Sequence, residues 1–168
     1  IKLDATPLGQ PLYEQLGFQP EWAFQRWERS GERVASFAPG GQLSRDMIQM
    51  DRSAFGADRS DWLALVASAC RVFTTGSTFA MLRPGRFATC LGPVVSHQPN
   101  EVESLIVKML ETVEGRMLWD IPQSNGAAEE IAARLGFRPV RQLLRMWCGE
   151  SCPAGRPDVQ FALLDPAT

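Results

Sequence analysis

The chain of 168 residues is 45% hydrophobic and carries a formal net charge of −2, with a pI near 5.5. That is enough apolar content to bury a globular core, and the absence of any basic run argues against an electrostatic nucleic-acid surface. No apolar stretch reaches the eighteen residues of a membrane span, and the opening "IKLDATPLGQ" lacks the charged and apolar regions of a signal peptide.

The same opening has no starting Met and reads as the middle of a folded element, so a fragment or a trimmed chain is expected. Residues 1–30 read as a helix followed by a strand. A Gly/Pro-rich break at Pro39–Gly41 marks a boundary or an early loop. "SRDMIQMDRSAFG" opens with a Ser cap and spaces Met47, Met50 and Ala54 as a helix does. "SDWLALVASA" places Trp62, Leu65, Val66 and Ala69 on one face of a second helix. Three strands follow in "CRVFTT", "STFAMLR" and "RFATCLGPVV", separated by Gly76 and by Pro84–Gly85. From Asn100 to Val113 the apolar residues fall at helical spacing, with Asn100 as N-cap and Glu103 completing a capping box. "RMLWDIP" is a buried strand. A helix from Asn125 buries Ala128, Ile131, Ala132 and Leu135 and stops at Gly136, and two closing strands complete the chain. This order argues for one α/β or α+β sheet covered by helices.

"LGF" occurs twice, in "YEQLGFQPEWAFQRW" and in "AARLGFRPVRQLLRMW", 119 residues apart. The register holds without a gap from Thr6/Asn125 through Gly17/Gly136, Phe18/Phe137 and Pro20/Pro139 to Arg26/Arg145. The matched positions are ones where structure demands a particular residue, so the repeat is read as two copies of one closing helix–strand unit.

Four cysteines (Cys70, Cys90, Cys148 and Cys152) and one histidine (His97) contain no Cys-x-x-Cys pair. Cys148 and Cys152 can form a small disulfide or contribute to a metal site, against the plainer reading of free thiols in a reducing cytosol. No ligand set at convincing spacing supports zinc, and no metal is expected.

These residues resemble the GNAT superfamily of acyl-CoA N-acyltransferases, whose closing signature reads Asn-x-x-Ala and then Tyr-x-x-x-Gly-Phe. The first copy supplies Thr6, Gly9, Tyr13, Gly17 and Phe18; the second supplies Asn125, Ala128, Ala132, Gly136 and Phe137. "AFGADRS", "RPGR", "LGPVV" and "LGFRP" are similar to the C-terminal domain of tandem bacterial GNAT proteins. The resemblance implies a mixed, mostly antiparallel central sheet with helices on both faces. It further implies that residues 1–30 close a preceding GNAT domain and that residues 33–168 form a second one.

The implied function is transfer of an acetyl group from acetyl-CoA to a small-molecule or peptide amine. Backbone N–H groups of a splayed strand would hold the oxyanion and a helix N-terminus would hold the pyrophosphate. On this chain Leu91, Gly92 and Val94 of the splayed strand, with Asn125, are the implied cofactor contacts. Asn125 has capping its helix as its alternative role. Tyr13 is the implied acid of the preceding domain, with aromatic packing as its alternative. Arg59 and Trp62, at the junction of the first two helices of the second unit, are the implied substrate-pocket residues, against a solvated junction anchored by Trp62. Trp22 and Trp27 are read as packing residues, and His97 as a loop histidine or an anion partner.

The phosphate loop departs from the family. "SHQPNEVESL" has no glycine, no Lys or Arg lies between Pro93 and Lys108, and Glu101 and Glu103 bring negative charge to the helix start. Residues 33–168 are therefore expected to bind acyl-CoA weakly or not at all. The rival reading is a non-catalytic GNAT-like interaction domain. A third arrangement has residues 1–30 exchanged between two copies of the chain, as a homodimer, or paired with another subunit.

Overall fold

The computed structural model describes residues 1–31, 37–150 and 155–164. Its elements are β1 (Lys2–Ala5), α1 (Gln10–Gln15), β2 (Gln19–Arg29), α2 (Arg45–Phe55), α3 (Ser60–Ala67), β3 (Arg71–Thr75), β4 (Thr78–Pro84), β5 (Thr89–Val95), α4 (Pro99–Thr112), β6 (Met117–Pro122), α5 (Gly126–Arg134), β7 (Arg138–Trp147) and β8 (Gln160–Ala162). One sheet takes all eight strands, in the order β1-β7-β2-β6-β5-β4-β3, with β8 beside β5. Every pairing is antiparallel except β5 with β6.

Alternation along β4 separates the two cores, because successive side chains on a strand point to opposite faces. Ala80 and Leu82 join Val102, Leu105, Ile106 and Met109 of α4 and Ala128, Ile131 and Ala132 of α5. Phe79 and Met81 join Ala54 of α2 and Leu63 and Ala67 of α3. Helices therefore cover both faces.

Helix ends follow side-chain chemistry. Ser44 Oγ accepts from the Met47 N–H at 3.2 Å to start α2, which stops at Gly56 with φ 85°. Two expectations need correction. The buried stripe of α3 is Leu63 and Ala67, continued by Cys70, while Trp62 and Leu65 are exposed. Both stripes satisfy helical spacing, so periodicity alone does not separate them. The start of α4 lies at Pro99, with Gln98 as N-cap, in place of Asn100. Proline at the first helical position has its φ already set and loses no needed N–H, which moves the boundary forward.

Residues 1–29 are woven into the second half of the chain. Strand β2 lies between β6 and β7, and β1 pairs with the far side of β7. A local pseudo-two-fold relates the two units: Trp22 pairs with Arg145 as Arg26 pairs with Arg141, and Ala23 with Leu144 as Gln25 with Gln142. The self-related pair Phe24 and Leu143 sits at the centre. Shifting each residue by 119 exchanges one pair for the other.

Two buried ion pairs start from the related arginines, Arg26 and Arg145, although their aspartates do not correspond under the shift. Arg26 donates from Nε and Nη2 to Asp120, both at 2.7 Å, across β2 and β6. Arg145 donates from Nε and Nη2 to Asp4, at 2.8 and 2.9 Å, across β7 and β1. Bidentate arginine–carboxylate pairs of this kind fix register as well as adding energy.

Candidate functional site

Strand β5 leaves its neighbour half-way. Thr89, Cys90 and Leu91 pair with Met117, Leu118 and Trp119, and there the parallel ladder ends. Gly92, at φ 141°, turns the chain, and a side chain there would run into the Leu163 carbonyl. The wedge opened between β5 and β6 is filled by the chain's own residues 159–164. Val94 pairs with Ala162 and Val95 with Gln160. The Ser96 N–H donates to Val159 O at 3.1 Å, and the Leu163 N–H donates to Asp120 O at 2.8 Å. Trp119 Nε1–H reaches Phe161 O at 2.7 Å, and Phe161 through Leu164 are all buried. A break at Gly92–Pro93 was legible in the sequence; the segment that fills the wedge was not.

The start of α4 offers an anion little. Pro99 has no N–H, and the N–H groups of Glu101 and Val102 both donate to Gln98 O. The Glu101 carboxylate occupies this end, accepting from the Ser77 N–H at 3.2 Å and from Thr78 Oγ1 at 2.8 Å. Glu103 is drawn away to Arg134 on α5, at 3.0 and 3.1 Å, and that hydrogen-bonded guanidinium lowers its pKa. Residues 89–104 therefore do not fit an acyl-CoA: the wedge is filled and the helix start is self-satisfied.

Asn125 is spent in the same way. Its Oδ1 accepts from the Ala128 N–H at 3.1 Å, and its Nδ2 donates to the carbonyls of Asp158 and Gln160, both at 3.1 Å. It caps α5 and straps the terminal segment to the helix, so of its two expected roles the geometry carries capping. Leu91 pairs with Trp119 and Val94 with Ala162, and Leu163 crowds Gly92, at positions where a cofactor was expected.

Tyr13 stands apart from this wedge, on α1. It is half-buried, with its ring edge-on to Phe18 at 5.8 Å, and α1 buries none of its residues. Its counterpart on α5, Ala132, is fully buried.

The structure does bring Arg59 and Trp62 together. Both line a cavity of about 260 Å³ with Lys2, Asp4, Phe55 and Arg145. Arg59 donates from Nε and Nη2 to Asp51, at 2.7 and 2.6 Å, which ties the α2–α3 junction to the body of α2. Sequence reasoning missed Arg145 as a member of this cavity. The identity of Arg26 and Arg145 in the repeat was the available signal, since a charged residue kept in both copies of a buried strand implies a buried partner for each.

Elsewhere, burial pushes the Cys70 thiol up to about 11, and the hydrogen bond from Arg116 holds Glu28 below the ordinary carboxylate range. Cys148 is a free, half-buried thiol; its considered partner Cys152 lies outside the described residues. Among the described residues no helix is long and apolar enough to cross a membrane.

Comparison with known proteins agrees with this architecture. The chain is similar to the uncharacterized N-acetyltransferase YitH of Bacillus subtilis, with 24% identity over 155 residues, 82% of this chain and 54% of the relative. A Pyrococcus horikoshii crystal structure with a provisional acetyltransferase assignment superposes with a TM-score of 0.80 at 24% identity, over 98% of this chain and 58% of that one. A GCN5-related N-acetyltransferase from Sphaerobacter thermophilus gives a TM-score of 0.51 at 13% identity, over 87% of this chain and 59% of that one. The chain thus spans little more than half the length of these proteins. Residues 47–162, more than half of the sequence, match the family model for an acetyltransferase (GNAT) domain, and the chain belongs to that family.

Proposed function

We propose that this chain is the C-terminal portion of a cytoplasmic acetyl-CoA-dependent N-acetyltransferase whose chemistry is carried by a preceding GNAT domain. Residues 1–30 would be the closing part of that domain, with the Tyr13 hydroxyl as its proton donor. Residues 33–168 would be a second GNAT domain that covers the acceptor site and binds no acyl-CoA itself. The observation that carries the reading is the wedge between β5 and β6, filled by residues 159–164 and latched by Leu163 to Asp120. The repeated β-α-β unit supports it, because β1-α1-β2 has the architecture of β6-α5-β7. The filled wedge equally favours a second reading, a GNAT-like interaction domain without chemistry.

Calorimetric titration of acetyl-CoA into the 168-residue chain, with a melting scan, tests the shared part. No heat and no rise in melting temperature are expected. Saturable micromolar binding, with the stabilisation that linkage requires, would overturn both readings. The two separate in a longer protein ending in this chain, where turnover lost on Tyr13→Phe supports the enzyme and absence of turnover supports the interaction domain.

A further inference from the structure

The cavity at Arg59 has a chemical bias that its lining residues make explicit. Three cations converge on the Phe55 ring: the Arg59 guanidinium lies 4.0 Å from its centroid, the Lys2 ammonium 5.4 Å and the Arg145 guanidinium 5.8 Å. Each has a carboxylate partner, Asp51 for Arg59, Glu21 for Lys2 and Asp4 for Arg145. The pairs are lopsided in exposure. Side chains of Asp51, Glu21 and Asp4 keep 2%, 5% and 3% of their surface, while those of Arg59, Lys2 and Arg145 keep 14%, 14% and 8%. Asp51 and Glu21 sit behind the lining and Asp4 reaches it, while all three cations line the cavity and keep the greater exposure.

Both arginines also hold donors in reserve. Each gives Nε and Nη2 to its aspartate, and a guanidinium carries five N–H groups in a planar fork. The outer edge, Nη1 with the second hydrogen of Nη2, has no acceptor among the described residues in either case. That edge matches a carboxylate, which it can bind in parallel hydrogen bonds. Apart from Asp4, which is held by Arg145, the rest of the wall is apolar, made by Leu3, Phe55, Trp62 and Leu164, and Trp62 is 43% exposed, which suits contact with an apolar body. The volume lies just below the roughly 300–1,000 Å³ usual for ligand pockets, the scale of a molecule the size of an amino acid.

We propose that this cavity binds the carboxylate of a small amine acceptor, held by the outer edges of Arg59 and Arg145 with its apolar body on Phe55 and Trp62. The word acceptor rests on the N-acetyltransferase reading above; the carboxylate preference does not.

Calorimetry with two matched probes on the 168-residue chain tests it: 3-phenylpropionate, and the uncharged 3-phenylpropionamide of the same shape. The acid is expected to bind at least about tenfold more tightly, the effect of charge-assisted hydrogen bonds, and to weaken at high salt. Asp51→Asn with Arg59→Met, which removes the pair without stranding a buried charge, is expected to abolish the preference. Trp62→Ala, which removes a ring beside Arg59 but leaves every ion-pair member in place, is expected to weaken both probes alike. Equal binding of acid and amide, or no binding of either at millimolar concentration, overturns the proposal. In a longer protein supplied with acetyl-CoA, phenylalanine and phenylalaninamide then separate the two ideas. Carboxylate binding without turnover sinks the N-acetyltransferase reading and leaves the site standing. Turnover with no preference for the acid sinks the site and leaves the enzyme.

Discussion

The turns that open the α1 and α5 units are built alike, and the two helices end alike. Thr6 Oγ1 accepts from the Gly9 N–H at 3.2 Å, and Asn125 Oδ1 accepts from the Ala128 N–H at 3.1 Å. Gly17 has φ 86° and Gly136 has φ 83°, and in each unit the following Phe N–H reaches back to a carbonyl five residues earlier at 3.0 Å. Their surroundings are opposite. Ile131 on α5 is 2% exposed, while Leu12, its counterpart 119 residues earlier, is 57% exposed. Helix α5 packs against α4 and β8, and among the described residues α1 buries nothing. The comparison teaches that a few capping residues fix the local shape of such a unit whatever surrounds it. Burial, and with it most of the stabilisation, is supplied by what packs on top.

The sharpest way to break the comparison is through its two buried ion pairs. Asp120→Ala strips Arg26 of its bidentate carboxylate inside the sheet, and a loss of about 3–5 kcal/mol is expected by urea unfolding. Asp4→Ala is expected to cost less, because β1 lies at the sheet edge and Arg145 can reach water through the cavity. Equal losses would show that the edge position of β1 gives Arg145 no relief. Next in size, Ile131→Ala should cost about 2–5 kcal/mol as a cavity in a packed core. Leu12→Ala at the matched position should stay within about 0.5 kcal/mol. A large cost at Leu12 would mean that a partner covers α1 in solution.

The smallest effect expected is on acid stability. Hydrogen bonds from Arg116 and Arg134 hold Glu28 and Glu103 below their ordinary pKa near 4.5. The stabilisation they give is present above that value and is lost as pH falls through the lowered folded-state values. Glu28 ties the first unit to the second, whereas Glu103 ties α4 to α5. Glu28→Gln should therefore flatten the acid limb of the stability curve without moving the neutral plateau by much, read from melting temperatures between neutral and acid pH. An unchanged acid limb would show the Arg116 pair to be idle in solution.

Much of the fold was legible because its signals are local. The Ser44 cap, the stripe of α4 and the two glycine stops each lie within a few residues of what they control. The element order of residues 45–162 follows from them. Expectations failed where the deciding contact was remote or degenerate. Trp62 and Leu65 satisfy helical spacing as well as Leu63 and Ala67 do, and only the position of β4 and β5 chooses between them. Strand β1 is four residues with two charges, so nothing in "KLDA" announces a strand; pairing to β7 makes it one. Of the site, the poverty of the 93–104 segment in phosphate donors was visible in its composition. That Gln160–Ala162 lies in the wedge beside β5 depends on a pairing across 65 residues or more, and no local pattern encodes it.

The position of β2 between β6 and β7 also has a consequence in time. Arg26 and Asp120 are 94 residues apart, and Asp4 and Arg145 are 141 apart, so the sheet closes only after long loops do. At ordinary translation rates β2 leaves the ribosome roughly 5–20 s before β6 exists to receive it. Through that interval it is an unpaired strand carrying three large aromatic side chains, Trp22, Phe24 and Trp27. Pro20 interrupts its hydrogen-bonding edge, and Glu21, Arg26, Glu28 and Arg29 give it charge, the devices that keep a lone strand from pairing with another chain. The charges on β2 serve the nascent chain as well as the folded one.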